Sequence, residues 1–228
     1  MPKIKIPYIF LLLLIYITSV ANATSSEDLY GTYQVGFQPI MIEGQTQFCL
    51  LNFSSLVNSS AYEINATYSV GGNLGIGMTK DRSNVLVTLK VGAAKVNLQS
   101  PNIKAIPKRP YFAYLISPSG KNNSSGYLGG QPSDSPGGLT SGYNFDDAAE
   151  QIFTQIIDTK KVSVAFNLEK GQIDIVVPLD LTVVDVDANG RRIKNDKAVT
   201  DFKKCILPLM REAAKKMGQE NNAAPNNR

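Results

Sequence analysis

The sequence predicts a mainly β fold: a β-rich α+β domain in which an antiparallel, sandwich-like sheet carries one middle helix and one C-terminal helix. Three observations predict it. Many short stretches alternate apolar and polar residues at period two, as half-buried strands do. Turn-forming pairs such as Lys170-Gly171 separate them. Only two stretches, near residues 150 and 200, repeat apolar residues at three- and four-residue steps, the spacing of an amphipathic helix.

The chain opens MPKIKIPYIFLLLLIYITSVANATSS. Lys3 and Lys5 form a basic region, Ile6 to Tyr16 an uncharged apolar run, and Ala21-Asn22-Ala23 places small residues where a signal peptidase inspects the chain. Residues 1–23 are therefore expected to be a cleaved secretory signal. The apolar run is shorter than the roughly 20 residues a spanning helix needs, and no later segment approaches that length. The mature chain is expected to be periplasmic or secreted, without a membrane span, and to form one β-rich domain over 24–216.

Next come the strands. GTYQVGFQPIMI places Tyr33, Val35 and Phe37 on one side, and QFCLLNF follows after the EGQT turn. AYEINATYSV alternates Tyr62, Ile64, Ala66 and Tyr68. LGIGM and VLVTLKV flank a DRSN turn, predicting an antiparallel hairpin over about 73–91. YFAYLI, 111–116, is a further strand. Residues 117–144 are rich in Gly, Ser, Asn and Pro and hold too little apolar side chain for a core of their own, so a flexible loop is expected there.

NFDDAAEQIFTQIID is the middle helix, with Asn144 as N-cap and Asp146 and Asp147 at the positive end of the dipole. A strong hairpin follows. Val162, Val164, Phe166 and Leu168 alternate, then Ile173, Ile175, Val177, Leu179 and Leu181. Pro178 cannot donate to a ladder, which puts that strand at an edge or a bulge. NDKAVTDFKKCILPLMREAAKKM is the C-terminal helix, expected to kink or break at Pro208. Residues 217–228 are expected to be a disordered tail.

Composition excludes some chemistry. The chain carries +4 and Lys3 and Lys5 account for two of those charges, so the mature chain is near +2, too little for a dedicated nucleic-acid face. Histidine is absent, which removes Cys/His zinc sites and Cys–His dyads. In an exported protein the two cysteines, Cys49 and Cys205, are then expected to form a disulfide tying a C-terminal helix to an N-terminal strand. DVDANGRRIKND places Asp185, Asp187, Asn189, Gly190 and Asp196 at positions one, three, five, six and twelve of a calcium loop. Arg192 stands where an apolar residue is usual, position twelve is Asp, and Asn189-Gly190 is equally a hairpin-turn pair. A turn and a calcium site both remain open. Asn52, Asn58, Asn65, Asn122 and Asn123 each begin an N-x-S/T sequon, meaningful only in a glycosylating host. No P-loop, GxSxG or dinucleotide fingerprint occurs.

YGTYQVGF with QFCLLNFSS, and VSVAFNLEKGQIDIVVPLDLT with AVTDFKKC, resemble the bacterial invasion-associated locus B proteins over about a quarter of the chain. The chain departs from that pattern. Tyr33 replaces an early Trp, a middle cysteine pair is missing and a Gly/Ser-rich loop is inserted. The resemblance implies a periplasmic or surface β-rich protein linked to host-cell interaction, and transfers no catalytic residue. The expectation is a non-enzymatic envelope protein that binds or scaffolds an envelope or host protein, without a cofactor. The alternatives are a carboxylate-dependent envelope hydrolase and a calcium-dependent adhesin-like module.

Overall fold

Residues 29–79 carry only Glu43 and Glu63 as charges and are rich in β-branched and aromatic residues, which suits long half-buried strands. In the computed structural model, which describes residues 29–98 and 104–223, β1 (Gly31–Ile42), β2 (Gln45–Ser59), β3 (Ala66–Met78) and β4 (Val85–Val96) form an antiparallel meander. The expected signal at 1–23 lies outside the described residues. β2 pairs with β3 from Phe48↔Gly77 to Ser59↔Ala66, and β3 with β4 from Thr67↔Val96 to Met78↔Val85, without a slip. One buried face fixes this register. Cys49, Leu51 and Phe53, then Leu74, Ile76 and Met78, then Val87, Leu89 and Val91 all belong to the core. A shift of one residue would turn every one of them to water. At Gly72 the backbone of β4 comes so close that a Cβ would lie 1.8 Å from the Lys90 carbonyl oxygen.

The meander corrects one expected strand. Tyr62 and Ile64 do not continue Ala66 and Tyr68; residues 61–65 are the turn between β2 and β3, with Asn65 at φ 54° and Ile64 exposed. Two strands this long must reverse somewhere, and the polar stretch around Asn65 accepts the left-handed backbone better than its neighbours.

β5 (Ala105–Pro107) pairs with the end of β4, and β6 (Phe112–Ile116) starts a second sheet. A 3-10 turn at Ser124–Gly126 leads to β7 (Tyr127–Pro132) and β8 (Gly138–Asn144), which return to the large sheet in the order β1-β2-β3-β4-β8-β7. The segment 117–144, expected as a loop, thus holds two strands, β7 and β8, with irregular chain at 117–123 and 133–137. Leu139, Ser141 and Tyr143 are buried at period two, and β4 supplies the core that the segment lacks. The Tyr143 hydroxyl donates to the Ala113 carbonyl of β6, joining the two sheets. Asn123, fully buried, accepts from the Leu115 N–H at 2.8 Å.

α1 (Asp147–Thr159) follows β8. Its cap is Asp146, not Asn144, because the Asp146 carboxylate accepts the Ala149 N–H at 2.9 Å. β9 (Lys161–Asn167) and β10 (Ile175–Asp180) complete the small sheet in the order β10-β9-β6. β10 is an edge, as Pro178 requires, and Ile173 lies in the connection before it, exposed. β11 (Val183–Val186) and β12 (Arg192–Lys194) form a separate hairpin.

α2 (Lys197–Ala223) runs through Pro208 unbroken and past residue 217, where a disordered tail was expected to begin. Proline costs a bond to the residue four before it. Lys204 and Pro208 are both exposed, so the freed carbonyl faces water, while Ile206 and Leu209 beside it are buried. Ala149, Ile152, Phe153 and Ile156 of α1 and Val199, Phe202, Ile206 and Leu209 of α2 fill the core with the inner face of the large sheet. Phe153 and Phe202 stack at 5.9 Å between ring centres. Each such large side chain contributes about 1.5–3 kcal/mol by leaving water.

Candidate binding surface

The two cysteines meet as expected. Cys49 on β2 and Cys205 on α2 form a disulfide with their Cα atoms 5.9 Å apart, and Cys49 is fully buried. The bridge pins α2 to the inner face of the sheet. Across the sheet from Cys49 stand Pro39 on β1 and Ile76 on β3.

Beyond Pro39 the β1–β2 hairpin runs out into solvent. Ile40, Met41 and Ile42 are 36%, 53% and 52% exposed. Glu43 and Gly44 form the two-residue turn, with φ of 52° and 76°, the pattern of a primed hairpin turn. Glu43 is the only charged residue between Asp28 and Glu63. The uncharged run PIMI before a turn was the sequence signal for this feature, and alternation alone did not single it out.

The base of the hairpin is held firmly. Gln47, buried, donates its amide to the Met78 carbonyl and, at 3.0 Å, to the Thr79 carbonyl. Arg82 donates to the Thr46 carbonyl at 3.0 Å and forms a two-bond ion pair with Glu212 of α2. Such a fork fixes geometry as well as adding energy. The turn carrying Arg82 is ordered by Asp81. Its carboxylate accepts the Thr79 hydroxyl at 2.5 Å and the Ser83 N–H at 3.1 Å, bonds that hold its pKa down at about 2. Apolar side chains are thus displayed at the end of a rigid arm.

β1 is also the edge of the large sheet. Its first half is covered. Arg192 of β12 donates to the Thr32 and Tyr30 carbonyls, and the Asp180 N–H donates to the Thr32 hydroxyl at 2.9 Å. Its second half carries Pro39, which has no N–H, and a register shift at Ile40/Met41. Both devices interrupt strand addition. This stretch of the edge is thus closed to backbone strand pairing, and what it offers to solvent is the side chains of the tip.

The calcium-loop residues are placed differently from a metal cage. Asp185 lies on β11, and Asp187, Asn189 and Gly190 make the β11–β12 turn. Asp187 accepts the N–H groups of Asn189 and Arg191 at 2.8 and 2.9 Å and pairs with the Arg191 side chain at 2.8 Å. The Arg191 backbone bond leads in holding its carboxyl below the usual range. Asp196 stands at the start of α2, its carbonyl accepting the Thr200 N–H. Among the described residues no group of three or more Cys, Asp or Glu is placed to hold a metal ion.

Of the sequon asparagines, Asn58, Asn65 and Asn122 are exposed, Asn52 is half-buried and Asn123 is inaccessible. Among the described residues no helix is long and apolar enough to cross a membrane. That and the disulfide are compatible with a periplasmic or secreted protein. No family model, curated protein or solved structure matches the chain, and the character of this surface follows from its geometry alone.

Proposed function

We propose that the protein is an exported, non-enzymatic envelope component that binds or scaffolds a protein partner through the tip of the β1–β2 hairpin. The observation that carries this is the display of Ile40, Met41 and Ile42 on an arm braced by a disulfide, Gln47 and Arg82. Contiguous exposed apolar side chains on a rigid element are the hallmark of an interaction site. The leader at 1–23 and the disulfide support export. The resemblance to invasion-associated locus B proteins extends the proposal to a role at the host-cell boundary.

The distribution of carboxylates weighs against the hydrolase alternative. Glu63, Asp134, Asp180, Asp201 and Glu212 sit in separate ion pairs, with Lys95, Lys90, Lys194, Lys197 and Arg82. Acid–base hydrolysis of a glycan needs two carboxyl groups facing one bond.

The test is site-specific crosslinking in the native envelope. A photoreactive residue at Met41 is expected to yield one discrete adduct. The Ile40→Ser/Ile42→Ser background is expected to abolish it while leaving the melting temperature unchanged. Adducts that persist in that background, or turnover of a cell-wall glycan by the purified mature protein, would overturn the proposal.

A further inference from the structure

The large sheet has a seam. β4 pairs with β8 up to Gly92↔Gly138 and with β5 from Ala94↔Pro107, so Ala93 stands where its partner changes. Ala93 binds both sides of the seam. Its N–H donates to the Gly137 carbonyl at 3.2 Å, and its carbonyl accepts the Lys108 N–H at 2.8 Å. The β7–β8 connection and the chain after β5 are thereby held side by side.

Between them lies an open cleft of about 320 Å³ lined by Arg109, Ser133, Asp134, Ser135, Gly137 and Gly138. The wall is built rather than loose. The Ser133 N–H donates to the Gly138 carbonyl at 3.0 Å, the Gly138 N–H to the Ser135 carbonyl at 3.0 Å, and the Ser135 N–H to the Ser133 hydroxyl oxygen at 3.2 Å. Asp134 is matched by Lys90. Arg109 and the neighbouring Lys104 and Lys108 make no ion pair among the described residues. Arg109 is the one cation among the residues lining the cleft, and the one carboxylate there, Asp134, is engaged by Lys90.

We infer that this seam binds a phosphate ester, with the Arg109 guanidinium and the Ser135 hydroxyl meeting the phosphate oxygens, while the Ser133 hydroxyl, which donates to the Ser135 carbonyl at 3.2 Å, holds the turn in shape. A guanidinium fork offers parallel N–H donors that match an oxyanion, and its charge strengthens each bond. The cleft has roughly ten times the volume of one water, at about 30 Å³ each, so it takes a phosphate together with part of the group it esterifies. The same chemistry is offered by a soluble phosphate ester and by a phospholipid headgroup.

The experiment uses the mature protein, Arg109→Gln and, as a control, Lys80→Gln in the β3–β4 turn at the opposite end of β4. One arm titrates glycerol 3-phosphate and follows backbone amide shifts. The other measures co-sedimentation with phosphatidylglycerol/phosphatidylcholine vesicles against phosphatidylcholine alone. Shifts confined to residues 108–109 and 133–138, weakened about tenfold or more by Arg109→Gln and untouched by Lys80→Gln, are the expected result for a soluble ester. Arg109-dependent sedimentation with the anionic vesicles only is the expected result for a headgroup. The inference is overturned if neither arm depends on Arg109, or if Lys80→Gln weakens binding as much as Arg109→Gln does.

Discussion

Replacing Cys49 and Cys205 together by alanine opens the largest covalent loop in the molecule, closed across a separation of 156 residues. In the chain-entropy treatment a loop of this length restricts the unfolded chain by about 5 kcal/mol at 25 °C, an upper figure because residual structure reduces it. For a domain of this size each kcal/mol moves the melting temperature by about 2–4 °C, so a drop of roughly 10–20 °C is expected. Truncating the fully buried Cys49 adds only a small packing loss. The assay is thermal denaturation followed by circular dichroism, with the wild type also melted in excess reductant. The reduced wild type and the double variant should melt together. A shift below about 3 °C in both, with unchanged spectra, would mean that packing alone holds α2 on β2 and that the loop-entropy argument fails here.

Gly72→Ala forces a Cβ into the Lys90 carbonyl and should cost about 2–3 kcal/mol, read as a lower urea midpoint with unchanged slope; an unaltered midpoint would refute the close approach. Tyr143→Phe leaves the buried Ala113 carbonyl without its donor and should cost about 1–3 kcal/mol by the same assay. Asp81 has a folded pKa of about 2 against an ordinary 3.8, so its contribution is fully present above about pH 4 and disappears as pH falls through 2. Asp81→Asn should therefore melt below the wild type at pH 5 and converge with it near pH 2, and a gap that persists at pH 2 would exclude this linkage. Arg82→Met removes both the Glu212 pair and the bond to the Thr46 carbonyl. Hydrogen exchange at residues 40–46 should accelerate in that variant while the amides of β3 and β4 keep their protection.

Sequence pattern revealed the elements whose stabilising partners are close along the chain. VSVAFN and IVVPL announce β9 and β10 because each strand buries alternate residues against its neighbour. α1 was legible from its own apolar stripe. β8 was not. Leu139 and Tyr143 are its only large apolar side chains, and its strand identity comes from pairing with Val87, Leu89 and Val91, some fifty residues earlier. Pro208 misled for a similar reason, because propensity describes an isolated helix while burial of Ile206 and Leu209 holds this one. The hairpin tip was not singled out, because PIMI reads as the end of an ordinary strand and its lack of cover is a property of the packed fold. The seam at Ala93 joins three distant segments and leaves no local pattern.

The bridge between β2 and α2 also sets a timetable for synthesis. At roughly 5–20 residues per second, the thiol of Cys49 waits on the order of 8–30 s before Cys205 is made. No other cysteine exists in the interval, so intramolecular oxidation has a single possible outcome and needs no reshuffling catalyst. The hazard in that window is another molecule's thiol. β1, β2 and β3 pair locally in sequence, and in the folded protein their sheet encloses one side of the Cys49 sulfur.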